Sequence, residues 1–163
     1  LNGDFNINTG DGTSDVRLNQ VYTYADMNIL GGSGVDVIQM LNTRVDVDLD
    51  ITTGGQNDNI VIEQSDVWDS LKIDSGSGND KLTVQDVRVD EDFSVIAGAG
   101  DDLLALMNLR VGDTILINVD PGNDKVYTSN VFAWNGADVT GTNNGNSNFY
   151  IRVGSGGLII VIS

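Results

Sequence analysis

The sequence predicts an all-β solenoid of about seven stacked coils of about 22 residues, with three short parallel strands in each coil. Two observations lead to this prediction. Apolar residues recur at fixed places of a 22-residue period along most of the chain. Glycine-rich segments punctuate the same period, beginning at Gly32, Gly54, Gly76, Gly98 and Asp120. Equivalent positions would then lie above each other at about the 4.8 Å spacing of neighbouring strands.

Three columns of mostly aliphatic residues mark the three strands of each coil. The first strand carries Val16, Ile38, Ile60, Leu82, Leu104 and Val126. The second, shorter strand carries Thr23, Val45, Val67, Val89, Val111 and Ala133. The third strand carries Ile7, Ile29, Ile51, Ile73, Val95 and Ile117. Because apolar residues alternate with polar ones in each strand, one side of every strand is expected to face an apolar interior.

A polar column separates the first strand from the second, and it consists of Gln20, Asn42, Gln64, Asp86, Asn108 and Asn130. Stacked amide side chains can hydrogen-bond along such a column and satisfy polar groups at a partly buried corner. This arrangement resembles the right-handed, single-stranded parallel β-helix proteins, whose coils are of similar length and commonly carry an asparagine ladder. The resemblance covers nearly the whole chain and implies a fold rather than an activity.

Both ends of the chain depart from the repeat. Leu1 falls in the column of the second strand, so residues 1–163 are expected to be a single domain that is a segment of a longer solenoid. Uncapped ends of this kind would stack on adjacent coils or subunits. Near the other end the repeat slips by one residue between Phe132 and Asn144, and the apolar residues within 154–163 predict a closing strand or a contact with another chain, of which the closing strand is favoured.

Composition excludes several classes of function. The 163 residues contain 24 Asp and Glu against eight Lys and Arg, a net charge of −16 that opposes binding to nucleic-acid phosphates. The chain has no cysteine or histidine, which rules out thiolate zinc sites and Ser-His-Asp or Cys-His catalysis. Its longest apolar run, at 158–162, is far shorter than the roughly 18 residues of a membrane span.

An aspartate column follows the glycine-rich turns, and it gives the candidate metal ligands Asp36, Asp58, Asp80, Asp102 and Asp124. Two roles are open. The carboxylates could cap the turns by accepting backbone hydrogen bonds, which is favoured because serine stands in the same column at positions 14 and 147. Alternatively, a cation could cancel the repulsion between carboxylates stacked about 4.8 Å apart.

The turns resemble the hemolysin-type calcium-binding repeat of secreted bacterial proteins, whose consensus is G-G-x-G-x-D-x-U-x with U apolar. Gly32, Gly34, Asp36 and Ile38 match part of that consensus, and equivalent residues match it in the turns before Leu82 and Leu104. The resemblance implies calcium as a possible cofactor and a secreted location. In that family the motif recurs every nine residues, whereas here it occurs once per 22.

A second candidate site is an outward strip around the second strand, with the candidate ligand-binding residues Tyr22, Tyr24, Arg44, Trp68, Arg88, Arg110 and Trp134. Exposed aromatic rings stack on sugars, and arginine binds carboxylates, so the pattern is typical of polysaccharide recognition. The alternative is structural: the rings would cover a corner, and the arginines would neutralise neighbouring aspartates.

The function expected from these features is that of a non-enzymatic structural or adhesive module, extracellular or on a bacterial cell surface. Two alternatives stay open, a polysaccharide-binding or polysaccharide-cleaving β-helix and a calcium-dependent hemolysin-type domain. An enzyme of this kind would be a lyase or hydrolase, with Asp46, Asp66, Asp90 and Arg88 as the available groups. The strict register favours the structural module, since catalytic β-helices usually carry long loops that build a cleft.

Overall fold

The repeat forms the predicted all-β parallel solenoid, with about six turns of about 22 residues. The computed structural model describes residues 2–141, 148–153 and 160–162 of the chain, and side chains over 2–140. No helix occurs in this part of the chain, and therefore none long and apolar enough to cross a membrane. The expected seventh turn would be the slipped repeat after residue 141, of which two strands are described.

The strands line three faces. The predicted third strand of each coil forms the first face, the predicted first strand forms the second face, and the predicted second strand forms the third face. The first face contains β1 (Phe5–Asn8), β4 (Met27–Leu30), β7 (Leu49–Thr52), β10 (Leu71–Asp74), β13 (Phe93–Gly98), β16 (Thr114–Val119), β18 (Gly136–Gly141) and β20 (Ile160–Ile162). The second contains β2 (Ser14–Asn19), β5 (Asp36–Leu41), β8 (Asn59–Glu63), β11 (Lys81–Gln85), β14 (Leu103–Met107), β17 (Lys125–Ala133) and β19 (Asn148–Val153). The third contains β3 (Tyr22–Thr23), β6 (Arg44–Val45), β9 (Asp66–Val67), β12 (Arg88–Val89) and β15 (Arg110–Val111).

All strands pair in parallel with the equivalent strand one repeat away. On the second face, for example, Leu82 lies in register with Ile60 on one side and Leu104 on the other. The nine-residue β17 runs through both the second and the third faces and joins them into one twelve-stranded sheet. Within the described residues, one irregularity, between Ile96 and Gly98, interrupts the register of the first face.

The interior is apolar and closely enclosed, as the three columns predicted. Ile38, Ile60, Leu82 and Leu104 are at most 3% exposed, and Phe93 on the first face is fully buried. Burying one such side chain contributes roughly 1.5–3 kcal/mol, so stacking repeats supplies the main stabilisation. The inward apolar residues of the first coil are only partly buried, because no strand pairs with the outer edges of β1, β2 and β3 within the described residues, whereas the inward Thr23 is fully buried.

The amide corner differs from its expected form. All six residues of this column adopt left-handed backbone conformations, with φ between 50° and 56°, and all are exposed rather than partly buried. Their role is therefore conformational, since asparagine, glutamine and aspartate make the tight bend between the second and third faces. Side-chain bonds along the column include Asn108 Nδ2 to Asp86 Oδ1 at 2.7 Å and Asn130 Nδ2 to Asn108 Oδ1 at 2.9 Å.

The predicted slip of the repeat is present at its C-terminal end. Lys125 of β17 pairs with Asn148 of β19, one residue more than the period of the preceding coils, and an irregularity between Ser129 and Val131 restores the register. Most of the predicted closing strand at 154–163 lies outside the described residues, as does Ser147. Within it, Ile160–Ile162 form β20, which pairs with β18.

Candidate functional site

The five aspartates of the turn column form a buried ladder, here called the aspartate ladder: Asp36, Asp58, Asp80, Asp102 and Asp124. Each lies where a glycine-rich turn leads into a strand of the second face, and each is at most 4% exposed. The tight turn requires glycine at some positions, such as Gly76, whose φ is 87°. The side chain that follows is therefore directed into the corner rather than into solvent.

The ladder binds one coil to the next. Asp58 Oδ1 accepts a hydrogen bond from the backbone N–H of Asp36 at 2.7 Å, and Asp80 Oδ1 accepts one from Asp58 at 2.8 Å. The same bond recurs from Asp80 to Asp102 and from Asp102 to Asp124, at 2.8 and 2.9 Å. Capping is thus achieved mainly between coils, whereas the sequence suggested bonds within each glycine turn.

Asp36, the first member of the ladder, is bonded to Ser14, the serine that precedes it in the same column. The Ser14 hydroxyl donates to Asp36 Oδ1, so the aspartate–backbone series ends in a hydroxyl–carboxylate bond. Asp36 Oδ2 accepts the N–H of Gly32 at 3.2 Å, which is the turn bond that the sequence suggested. A side chain added at Gly31 would overlap that oxygen, so this end of the ladder has no spare space.

Three of the carboxyl groups have a second oxygen that is buried without a hydrogen-bond partner among the described residues. They are Oδ2 of Asp58, Asp80 and Asp102. Burial raises the pKa of Asp58 and Asp80, although the bonded N–H groups and the nearby hydroxyls of Thr53 and Ser75 oppose the shift. A buried ionised oxygen without a donor is costly, so a proton or a cation is favoured on these groups.

Among these three carboxyl groups, Asp102 has the largest upward shift of its pKa. Burial raises its pKa to about 7, against the opposing hydrogen bond from the backbone of Asp80. The negative charges of Asp80, Asp124 and Asp101 raise it further. Ala97 takes the place in the repeat that Thr53 and Ser75 hold beside the previous two carboxyls, so no hydroxyl offsets the burial.

The ladder offers hard oxygen ligands of the type that calcium prefers, but in a row rather than around one point. No group of three or more acidic residues able to hold a metal ion occurs in the described part of the chain. Calcium takes about six to eight oxygen ligands, so most of a shell here would have to come from main-chain carbonyl groups of the turns. The fit is partial, and calcium binding stays a prediction.

The second candidate site is the outer strip, defined as two columns beside the third face. One column is Tyr22, Arg44, Asp66, Arg88, Arg110 and Phe132, and the other is Tyr24, Asp46, Trp68, Asp90, Gly112 and Trp134. The β-register brings all seven predicted ligand-binding residues onto this one surface. Their side chains nevertheless form two groups of different character.

The N-terminal half of the outer strip is internally paired. The Arg44 guanidinium lies 4.7 Å from the centre of the Tyr22 ring and 3.6 Å from that of Trp68. Asp46 accepts from Arg44 Nε at 2.7 Å and from the Tyr22 hydroxyl at 2.9 Å. The Tyr24 ring packs on Tyr22 with 4.4 Å between ring centres. This half agrees with the structural interpretation, in which aromatic rings cover a corner and an arginine neutralises an aspartate.

The C-terminal half is more open. Arg88 pairs with Asp90 through Nε at 2.7 Å, and a second bond of 3.1 Å joins the same two groups. Arg110 comes next in the column, but Gly112 stands where Asp90 stands in the previous repeat. The rings of Phe132 and Trp134 meet edge to face, 6.3 Å apart, and Trp134 is 73% exposed.

Sequence reasoning offered the pairing of the arginines with neighbouring aspartates such as Asp46 as one interpretation, but it missed the part played by Gly112. Both follow the dipeptide Arg-Val, which recurs as Arg-Val-Asp at 44–46 and 88–90 and as Arg-Val-Gly at 110–112. That short motif and its change at Gly112 were the available signal. It separates the two arginines that pair with an aspartate from Arg110, which has no such partner among residues 2–140.

No protein-family model, curated protein or solved structure matches the chain. The solenoid fold therefore stands on the repeat and the structure together, and the likeness to hemolysin-type repeats stays a resemblance in the turns.

Proposed function

We propose that this chain is a non-enzymatic structural and adhesive module of a bacterial surface or matrix protein. The observation that carries the proposal is the continuity of the repeat. From Phe5 to Val139 every coil stacks on the last with parallel pairing, and the loops between strands stay short. A solenoid of this kind is a stiff spacer whose outer columns display side chains at regular intervals.

Two further features support this function. The net charge of −16 keeps such a rod soluble and repels other acidic surfaces. No strand of the described residues pairs with the outer edges of β1, β2 and β3, and parallel strands of another coil could join these edges. The proposed partners are therefore adjacent coils or subunits at this edge, and a polysaccharide at the outer strip.

A turnover assay tests the non-enzymatic part of the proposal. The protein is incubated with a panel of neutral and acidic polysaccharides, and new reducing ends and absorbance from unsaturated uronates are both measured. We expect neither signal above that of heat-denatured protein. Product formation that is lost on changing Asp46, Asp66 or Asp90 to Asn would replace this function with that of a polysaccharide hydrolase or lyase.

A calcium-dependent solenoid is the second candidate, and the specific observation that favours it is the set of unpartnered oxygens on Asp58, Asp80 and Asp102. In this function a cation after secretion would neutralise the ladder and stabilise the turns. The hemolysin-type resemblance of the turns gives the same expectation. The inter-coil N–H bonds and the apolar interior favour a ladder that folds without metal and gains only a small stabilisation from it.

Chelation and the variant Asp80→Ser separate these two functions. We expect excess chelator to lower the melting temperature by only a few degrees, the scale of a loss of about 1–2 kcal/mol. We expect Asp80→Ser to fold, because a serine hydroxyl already occupies this column at Ser14, whereas serine is a poor calcium ligand. Conversion to random coil by chelator, with refolding on added calcium, would instead establish the calcium-dependent domain.

A further inference from the structure

One arginine of the outer strip lacks the partner that its counterparts have. Arg44 and Arg88 each pair with the aspartate two residues further along, Asp46 and Asp90. Arg110 is followed at that place by Gly112. Its exposed guanidinium forms no ion pair or side-chain hydrogen bond with any residue between 2 and 140. Five N–H donors in a planar fork are thus left for a carboxylate from outside the chain.

The surface around Arg110 is also concave. A depression of about 700 Å³ lies around Gly112. The polar and aromatic side chains that line it are those of Arg88, Asp90, Glu91, Arg110, Asn130 and Phe132. The glycine is tightly packed, since a methyl group added there would overlap the carbonyl oxygen of Asp90. A side chain therefore does not fit at this position without a shift of the backbone, and the adjoining depression is large enough for a sugar ring.

We propose that this depression binds a glycan through one carboxylated sugar, whose carboxylate pairs with Arg110 in place of the aspartate that other coils supply. The proposal rests on the adhesive part of the proposed function and specifies its ligand. Phe132 lines the depression and is the register partner of Arg110, and the Trp134 ring meets the Phe132 ring edge to face, so the two rings offer apolar surface for a neighbouring sugar. Charge-assisted pairing and stacking would then act on adjacent parts of one ligand.

The surroundings of Arg110 restrict the ligand to a sparsely charged glycan. Asp90 and Glu91 border the depression, and the chain as a whole is strongly acidic, so a polymer with a carboxylate on every sugar is repelled. The same carboxylates accept hydrogen bonds from sugar hydroxyls. Asn130 donates its amide N–H to Asn108, and since no donor among residues 2–140 bonds to its side-chain carbonyl oxygen, that oxygen can accept from the ligand. A uronate among neutral sugars meets all of these conditions.

Matched oligosaccharides test the assignment by calorimetry. One probe is a tetrasaccharide with a single glucuronate, the second is the same compound with the carboxyl reduced to a hydroxymethyl group, and the third is a polyuronate of equal length. Wild type is expected to bind the first at least about tenfold more tightly than either other probe, the scale of one charge-assisted pair. Equal binding of the first two probes overturns the proposal.

Variants locate the site on the surface. Arg110→Gln should abolish the preference for the carboxylated probe, and Arg110→Lys should retain only part of it because the planar fork is lost. Arg17→Gln is the matched control, since Arg17 is an exposed arginine on the second face that pairs with Asp15. Trp134→Ala should weaken the first two probes by similar factors. A preference that survives Arg110→Gln, or falls equally with Arg17→Gln, overturns the site.

The proposed structural function and the proposed glycan site can be refuted separately. A wild-type protein that unfolds cooperatively and shows no turnover, yet binds none of the probes, would overturn the glycan site and leave the structural module standing. Turnover of the tetrasaccharide with an intact carboxylate preference would overturn the non-enzymatic function and leave the site standing. Circular dichroism of each variant shows that lost binding does not come from lost structure.

Discussion

The aspartate ladder and the outer strip follow the same 22-residue period but use it in opposite ways. In the ladder one residue type makes one bond in each of four successive coil-to-coil steps, always between a carboxylate and the backbone of the preceding coil. In the outer strip equivalent positions hold tyrosine, arginine, aspartate or phenylalanine, and the contacts change from coil to coil. A buried position in a solenoid is fixed by its neighbours above and below, whereas an exposed one is free to vary.

This difference separates the parts of the molecule that hold the rod together from those that could recognise a ligand. Each ladder aspartate depends on the coil on either side, so a change in one propagates to the next. Arg110 and Trp134, in contrast, extend from β-register positions whose backbone bonds do not depend on the side chain. Substitutions in the interior should therefore affect folding, and substitutions in the outer strip should affect binding.

The largest expected effect comes from placing a charge in the interior. Leu82→Asp puts a carboxylate between Ile60 and Leu104, where nothing can pair with it, and an unpaired buried charge costs several kcal/mol. We expect loss of the β-sheet signal in circular dichroism, or a melting temperature lowered by tens of degrees. Thr83→Asp is the control, because Thr83 belongs to the same strand but faces outward and lies between Val61 and Ala105.

A similar loss of structure in Thr83→Asp would mean that this strand tolerates no aspartate at all, and the assignment of its inward and outward sides would lose its support. A native-like spectrum of Leu82→Asp would contradict the closed apolar interior itself.

The next effect concerns pH and the ladder. The folded-state pKa of Asp102 is about 7 against an ordinary value of 3.8, so the folded protein binds more protons than the unfolded chain between these values. Stability should therefore be greatest at acidic pH and fall as the pH rises through 7, by up to about 4 kcal/mol for this group. Asp58 and Asp80, whose pKa values are also raised by burial, act in the same direction.

Exposed ion pairs have the opposite effect on the pH dependence of stability, but only at lower pH. Arg17 holds the pKa of Asp15 below its ordinary value, so that contribution is present above pH 3.8 and is lost as the pH falls further. Melting temperatures from pH 5 to pH 8 cover the upper part of the window between the two pKa values of Asp102 and avoid the isoelectric point near 4.1, where solubility is lowest.

The variant Asp102→Asn identifies the titrating group. Its carbonyl oxygen can still accept the N–H of Asp80, but the side chain no longer ionises. The fall in melting temperature should be clearly smaller than in wild type, with the variant the more stable protein at pH 8. A wild-type melting temperature that is flat from pH 5 to pH 8, and that acquires this slope only with chelator present, would show that a cation rather than protons neutralises the ladder.

The sequence was sufficient for the interior because one property, apolar character at a fixed period, decides it. The columns through Ile38 and Ile29 predicted the stacked faces, and the slip after Phe132 was predicted from the repeat alone. The ladder was predicted less fully. Its residues were identified and a capping role was favoured, yet a carboxylate oxygen can reach the backbone of its own turn or of the next coil, and only the three-dimensional stacking decides between these.

The outer strip was the least predictable region. All seven candidate residues lie on one surface, but whether an arginine is paired depends on side-chain conformations two residues apart and on the neighbouring coils. Arg44 is enclosed by Tyr22 and Trp68, whereas Arg110 is left without a partner among residues 2–140. Both residues are arginines in the same column of the repeat, so the residue types in that column could not show which of them is paired.

The smallest expected effect compares the two tryptophans of the strip. Trp68 lies against the Arg44 guanidinium at 3.6 Å and is 48% exposed, whereas Trp134 is 73% exposed and meets only the edge of Phe132 among the described rings. Trp68→Ala removes a cation–π contact and the cover over a paired arginine, so it should cost about 1 kcal/mol. Trp134→Ala should change the free energy of unfolding by less than about 0.5 kcal/mol, as exposed substitutions usually do. Urea denaturation of both variants measures the difference, with the slope of unfolding free energy against urea expected to stay constant. If Trp134→Ala proves the more destabilising of the two, its ring supports the C-terminal coils, and it is no longer available as a ligand-binding surface that can be removed without affecting the fold.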